Sequence, residues 1–167
     1  IEKINEIINF NKDKFTCYVA NDNSVGQVVI SGNMNDLNNF SEELKNNKIK
    51  NIKLPVSAPF HCKLMRSATD KMREEILKIE FKKPETNIIS NVTADQINDH
   101  NDIKKLLIEQ IEKPVRWRET VIKMINSKVE SFIEIGPGKV LSGLIKRIDN
   151  KVKLMQINNL DDIKNLD

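Results

Sequence analysis

The sequence has 167 residues, of which 39% are hydrophobic and 31% are charged. This balance is typical of a folded globular chain and not of a disordered one. The 27 basic and 24 acidic side chains give a net charge of +3, which is too small an excess to favour nucleic acid as a partner. No apolar run approaches the roughly 18 residues of a membrane span. Cys17 and Cys62 lack metal-ligand spacing, so we expect neither a metal nor a cofactor.

Residues 1–55 predict a small α+β unit. The helical spacing of Ile4, Ile7 and Ile8 indicates a first helix. The predicted elements are a helix over 2–10, a strand over 15–20, a turn over 21–24, a strand over 27–31, a helix from Asn35 or Asp36 to Lys45, and a strand over 49–54. One further strand before residue 1 would complete the ferredoxin-like order. The sequence therefore predicts an incomplete ferredoxin-like subdomain, unstable without upstream residues, in a piece of a longer protein.

Residues 56–167 predict alternating helices and strands. Helices are expected over 63–80, 102–110, 117–126 and 140–148, and strands over 87–92, 131–135 and 153–157. The strand over 131–135 is apolar enough to be buried. This alternation favours an α/β fold in which helices cover a mostly parallel sheet. Gly136-Pro137-Gly138-Lys139 is too short for a phosphate-binding loop and predicts a tight turn.

His61 is the candidate for acid–base chemistry. It lies between a Pro-bounded loop and a predicted helix, and an unperturbed imidazole titrates near ~6.5. Position alone favours a structural histidine, and a pair with the adjacent Cys62 is disfavoured because neighbouring side chains point apart. His100 lies in a polar loop and is expected to be solvated.

Four stretches carry a family resemblance. They are NDNSVGQVVISG (21–32), LPVSAPFHCKLM (54–65), QIEKPVRW (110–117) and EIGPGKVLSGL (134–144). In this order and at this spacing they resemble the motifs of malonyl-CoA:acyl-carrier-protein transacylases. The resemblance implies a hydrolase-like α/β core interrupted by a ferredoxin-like subdomain, with the active site between the two. On this basis residues 1–55 belong to the small subdomain and residues 56–167 to the C-terminal part of the core.

The resemblance also implies a ping-pong transfer of malonyl from CoA to the phosphopantetheine thiol of acyl carrier protein. The family's serine lies in a G-H-S-x-G turn, which this sequence lacks. The arginine that binds the malonyl carboxylate likewise has no match among the five arginines. We expect both residues in the upstream part of the same protein, and we expect the present chain to be inactive alone.

Individual roles follow from the motif matches. His61 corresponds to the general base, and Gln110 to the residue whose main-chain carbonyl accepts the imidazole N–H. Asn21 and Asn23 correspond to paired asparagines near the family's active-site gorge, which lies between the core and the small subdomain. Turn formation is an alternative for both. Phe60 resembles the A-F-H pattern of malonyl-selective acyltransferase domains and is expected to exclude a methyl branch at the acyl α-carbon.

Two alternatives stay open at this point. One is an acyltransferase domain of a polyketide or fatty-acid megasynthase, which Phe60 favours slightly. The other is a non-catalytic module that docks acyl carrier protein.

The abundance of Asn and Lys indicates AT-rich coding, so the expected location is a plastid (apicoplast) in a eukaryotic parasite and otherwise the cytoplasm.

Overall fold

The computed structural model describes residues 1–164 and shows a mixed α/β fold. Its helices and strands follow the chain in the order α1 (Glu2–Phe10), β1 (Cys17–Ser24), β2 (Gln27–Gly32), α2 (Met34–Asn46), a short 3-10 helix (Lys63–Met65), α3 (Arg66–Lys78), α4 (Asp102–Gln110), α5 (Trp117–Asn126), β3 (Ser131–Ile135), α6 (Val140–Ile148), β4 (Lys153–Ile157) and α7 (Leu160–Lys164). No helix within this range is long and apolar enough to cross a bilayer.

The first third is a β-hairpin with two helices packed on it. β1 and β2 are antiparallel and are joined by a two-residue turn at Val25 and Gly26, where Gly26 takes a φ of 76°. The apolar faces of α1 and α2 meet the hairpin in one buried cluster, which contains Ile4, Ile7, Phe15, Cys17, Phe40 and Leu44. Burial raises the pKa of the Cys17 thiol to about 12, so this cysteine stays protonated as part of the core.

Three predictions for the first third were wrong in detail. The polar run 21–24 is not a turn but the second half of β1. The N-cap of α2 is Asn33, whose side chain accepts the Asp36 N–H at 2.9 Å, rather than Asn35 or Asp36. Residues 49–54 form no strand, and Ile52 is largely exposed, because β-propensity alone supplies no neighbouring strand.

The second sheet is the parallel pair β3 and β4, with Phe132 opposite Leu154 and Ile133 opposite Met155. α6 follows β3, and the carboxylate of Glu134 caps the first turn of this helix. That carboxylate accepts the N–H of Leu141 at 3.0 Å and both the N–H and the hydroxyl of Ser142 at 2.7 Å. These hydrogen bonds lower the pKa of Glu134. They also satisfy N–H groups that the first turn of a helix leaves unpaired.

Three predictions for residues 56–167 need correction. Residues 87–92 form no strand: Ile89 makes one isolated antiparallel bridge with Gln96, and residues 90–95 between them form a compact turn. The helix over 63–80 is divided into the short 3-10 helix and α3. β3 is not buried, since Ile135 is 78% exposed and Ile133 46% exposed. The predicted helices over 102–110, 117–126 and 140–148 are confirmed, and α7 was not predicted.

Phe40 anchors the cluster beneath the hairpin. Its ring is 2% exposed and meets the Phe15 ring edge-on at a centroid distance of 5.3 Å. We predict that Phe40→Ala lowers the free energy of unfolding by about 3–5 kcal/mol, because it removes a buried ring and leaves a cavity. Urea denaturation measures the change. Phe10→Ala is the matched control, since Phe10 is 87% exposed, and an equal loss in both variants would contradict the assignment of Phe40 to the core.

Candidate active site

His61 occupies a strained position at the start of the 56–167 region. Its φ is 59°, a left-handed conformation that costs a non-glycine residue energy. The surrounding structure holds it there. The Ser31 hydroxyl donates to the Phe60 carbonyl at 2.6 Å, and the Cys62 thiol donates to the Pro59 carbonyl at 3.2 Å. The loop on both sides of the imidazole is therefore fixed by hydrogen bonds, one of which comes from the end of β2.

The structure brings His61 and Gln110 together. The imidazole Nδ1 lies 2.8 Å from the main-chain carbonyl oxygen of Gln110. A carbonyl can only accept, so this contact places a hydrogen on Nδ1 and leaves Nε2 as the lone-pair nitrogen of the neutral ring. Gln110 is the last residue of α4, where helix carbonyls lack intrahelical partners. The arrangement can therefore hold a histidine in the tautomer that accepts a proton at Nε2.

Asn91 fixes the other side of Gln110. Its side-chain amide donates to the Gln110 side-chain oxygen at 3.1 Å. Its own carbonyl accepts the Arg116 N–H at 2.9 Å, and the Arg116 guanidinium donates to the carbonyl of Thr93 at 2.7 Å. Glu119 binds the same guanidinium, and this hydrogen bonding raises the pKa of Arg116. Asn91 could not be predicted from the sequence, because a polar residue in an expected strand carries no positional signal.

A buried ion pair joins the hairpin to α5. Asp22 is almost fully buried on β1, and both of its carboxylate oxygens accept from Arg118, with the closest contact at 2.8 Å. These bonds raise the pKa of Arg118. Beside the pair, the Asp22 N–H donates to the Val115 carbonyl at 2.9 Å, and the Val115 N–H donates to the Ala20 carbonyl at 2.8 Å. Asn21, Asp22 and Ser24 pair with Val29, Val28 and Gln27 of β2, so the polar run 21–24 is a strand although its side chains are typical of a turn.

The remaining predicted residues lie on the surface of the same region. Asn21 and Asn23 are half-buried on β1, where they alternate with the buried side chains of Asp22 and Ser24. The Phe60 side chain is 48% exposed next to His61. The structure therefore leaves the Phe60 side chain about half exposed and places both asparagines on the strand that contacts the segment after Gln110.

Cys62 is not a nucleophile partner for His61. The thiol is buried and donates to a carbonyl of the preceding loop. Burial raises the pKa of Cys62, which keeps it in the unreactive thiol form. Cys62 therefore serves the fold of the loop.

The turn at 136–139 is not built to cradle a phosphate. Gly136 and Gly138 have positive φ angles of 133° and 96°. Their N–H groups donate to the Ile157 carbonyl at 2.9 Å and the Asn158 side chain at 2.7 Å, so both donors are used within the fold. In the part of the chain that the structure describes, no group of three or more His, Cys, Asp or Glu side chains is arranged to hold a metal ion.

Comparison with known proteins identifies the class. The model of the acyl transferase domain family matches residues 4–158, so the chain belongs to the acyl transferase domain family. Among curated relatives, the malonyl CoA-acyl carrier protein transacylase of Bacillus subtilis (strain 168) is 43% identical over 147 residues. That match covers 87% of this chain and 46% of the relative. The chain thus spans about half the length of the curated relatives it matches.

Solved structures agree with this placement. The malonyl CoA-acyl carrier protein transacylase of Clostridium perfringens ATCC 13124 superposes with a TM-score of 0.92 at 39% identity, covering 98% of this chain and 52% of that one. A second structure holds a type II PKS acyl-carrier protein in complex with its malonyl-transacylase. It matches with a TM-score of 0.90 at 33% identity, covering 98% and 53% of the two chains.

Arg118 offers a test of the link between the hairpin and α5. We predict that Arg118→Ala lowers the free energy of unfolding by about 3–5 kcal/mol, because it leaves the buried Asp22 carboxylate without a partner. Adding Asp22→Asn should recover part of the loss. Urea denaturation measures both changes. Arg73→Ala, which removes an exposed arginine of α3, should change stability by less than about 0.5 kcal/mol. Equal effects of the two arginine variants would refute the role assigned to the pair.

Proposed function

We propose that this chain is part of an enzyme that transfers malonyl from CoA to the phosphopantetheine thiol of acyl carrier protein. The observation that carries the proposal is the 2.8 Å contact between the His61 Nδ1 and the Gln110 carbonyl. It orients the imidazole with Nε2 as the basic nitrogen, as general-base catalysis requires. The family membership and the relatives, which are malonyl CoA-acyl carrier protein transacylases, support the same reaction.

The proposed reaction has two half-reactions with one base. In the first, His61 Nε2 takes the proton of a serine hydroxyl, the serine oxygen attacks the malonyl thioester, and the C–S bond breaks. The departing CoA thiolate takes the proton from the imidazolium. In the second, Nε2 takes the proton of the pantetheine thiol, whose sulfur attacks the malonyl ester. The serine oxygen leaves and recovers the proton. The chemistry needs no metal or cofactor.

The serine and the carboxylate-binding arginine are assigned to the upstream part of the same protein. Two features of the structure support this assignment. Arg116 and Arg118 are engaged by Glu119 and Asp22, so neither guanidinium is available to a malonyl carboxylate. The exposed apolar face of the parallel sheet, formed by Ile133, Ile135 and Met155, supports packing against further protein, because parallel sheets are normally covered on both faces.

The finer parts of the proposal concern the subdomains, the partner and the location. A ferredoxin-like unit over 1–55 and a hydrolase-like core over 56–167 stay predictions, as does the placement of Asn21 and Asn23 near the substrate gorge. The complex of a type II carrier protein with its malonyl-transacylase supports acyl carrier protein as the acceptor. A role in type II fatty-acid synthesis and a location in a plastid or the cytoplasm also remain to be tested.

His61 is the first residue to test. With the upstream part of the protein present, we predict that His61→Ala lowers the rate of malonyl transfer from CoA to acyl carrier protein by several orders of magnitude, because the serine loses its base. Gln110→Ala should cost much less, since only its main-chain carbonyl contacts the imidazole. A gel or mass-spectrometric assay of malonyl-carrier protein measures the transfer.

The same assay and the upstream sequence together separate the enzyme from the two alternatives, the docking module and the megasynthase domain. A protein that contains the upstream part, binds acyl carrier protein and transfers no malonyl would be the docking module, and His61 would then be structural. A Gly-His-Ser-x-Gly turn in the upstream sequence supports the enzyme. An upstream ketosynthase region on the same polypeptide would instead indicate a megasynthase domain.

Phe60 is proposed to set the acyl selectivity. We predict that the enzyme prefers malonyl-CoA over methylmalonyl-CoA by about 10–200-fold in kcat/KM, the range that one methyl group can decide. Phe60→Ala should reduce this ratio, because it removes the half-exposed aromatic ring of the residue that precedes His61. Phe60→Leu, which keeps an apolar side chain, is the control and should preserve most of the preference. Equal use of both thioesters by the unaltered enzyme would contradict the role of Phe60.

A further inference from the structure

The acceptor of the His61 hydrogen bond is a carbonyl that its own helix does not use. In an α-helix the carbonyl of residue i accepts the N–H of residue i+4. For Gln110 that residue is Pro114, which has no N–H. The preceding donors are already committed, because the N–H groups of Glu112 and Lys113 both bond the Glu109 carbonyl, at 3.1 and 2.9 Å. The last N–H in the helical pattern is that of Lys113, which bonds the Glu109 carbonyl. The pattern therefore supplies no N–H to the carbonyl of Gln110.

The next residue turns the chain away from the helix. The Val115 N–H donates to the Ala20 carbonyl of β1 at 2.8 Å. Pro114 therefore stands between the last helical donor and the first donor of the strand pairing. The Gln110 carbonyl bonds neither the Lys113 N–H nor the Val115 N–H. It accepts from the His61 Nδ1 instead, at 2.8 Å.

We infer that Pro114 is a positioning residue, which keeps the Gln110 carbonyl free for His61 by withholding the N–H that would otherwise bind it. Pro114 acts on the imidazole through Gln110 and touches no reacting atom. An N–H at position 114 would compete for the carbonyl. Because a carbonyl oxygen has two lone pairs, the competition would weaken the contact with Nδ1 without abolishing it.

The first measurement needs no catalysis. The Nδ1–H proton of His61 is observed by NMR in the protein with its upstream part present, and its exchange with solvent is timed. Pro114→Ala should speed this exchange about two- to fivefold, because complete loss of a hydrogen bond worth about 1 kcal/mol corresponds to a factor of about five. The His61 ring should also show a second orientation. An unchanged exchange rate would overturn the inference.

A backbone ester separates the N–H from the proline ring. Lactic acid incorporated at position 114 gives the side chain of alanine with an ester oxygen in place of the N–H. If the added donor is the cause, the alanine variant exchanges faster and the ester matches the unaltered protein. If both variants change equally, loss of the ring is the cause and the inference fails. Pro84→Ala, a proline in the loop after α3, is the control for a general effect of proline removal.

The consequence for rate rests on the proposed function. In the transfer assay, Pro114→Ala should lower kcat about two- to fivefold with a smaller effect on KM, and the ester variant should retain the kcat of the unaltered enzyme. A protein that transfers no malonyl at all would end the proposed function, while the exchange measurement would still decide whether Pro114 controls the hydrogen bond. Equal kcat values for the alanine, ester and unaltered proteins would refute a positioning role in catalysis.

Discussion

The segment 110–118, which runs from the last residue of α4 into the first turn of α5, joins three separate parts of the structure. It begins with the Gln110 carbonyl, which binds His61, and ends with Arg118, which binds the buried Asp22. Between them Val115 pairs with β1, and Arg116 holds the loop that carries Asn91. Each of these contacts joins residues far apart in the sequence. The segment therefore fixes the hairpin, the 90–95 turn and the imidazole with respect to one another.

The ion pair within this segment has an energetic cost as well as a benefit. Burying the Asp22 carboxylate requires strong compensation, because an unpaired charge is very unfavourable away from water. Arg118 supplies it through a fork that bonds both oxygens. Such a pair contributes little net stability compared with apolar packing, but it tolerates few alternative positions for its partners. Its role here is to hold β1 in position against α5, which also holds Val115 against β1.

The sequence predicted the helices better than the strands, for a physical reason. The helical period of α1, α4, α5 and α6 is a local property, and Pro114 marks the end of α4. A strand needs a neighbour, which local sequence does not specify. Residues 49–54 have strand-forming side chains without a paired strand, whereas Asn21 and Asp22 have turn-forming side chains and lie in β1 because they pair with Val29 and Val28 of β2. The burial of β3 was also overestimated, since its apolar face lies open in the part of the chain described.

The site could be predicted only where a motif encodes one contact directly. Family resemblance led to His61 and Gln110, and the structure brings these two residues together. It did not lead to Ser31 or Asn91, whose contacts depend on loops with no regular period. A neutral carbonyl as the acceptor has a chemical consequence that a carboxylate would not have. It orients the ring without adding a second titrating group, so the proton equilibria of two partners are not coupled. Orientation then depends on where α4 ends, and the catalytic geometry proposed here is set by the backbone of residues 110–115 and not by the side chain of Gln110.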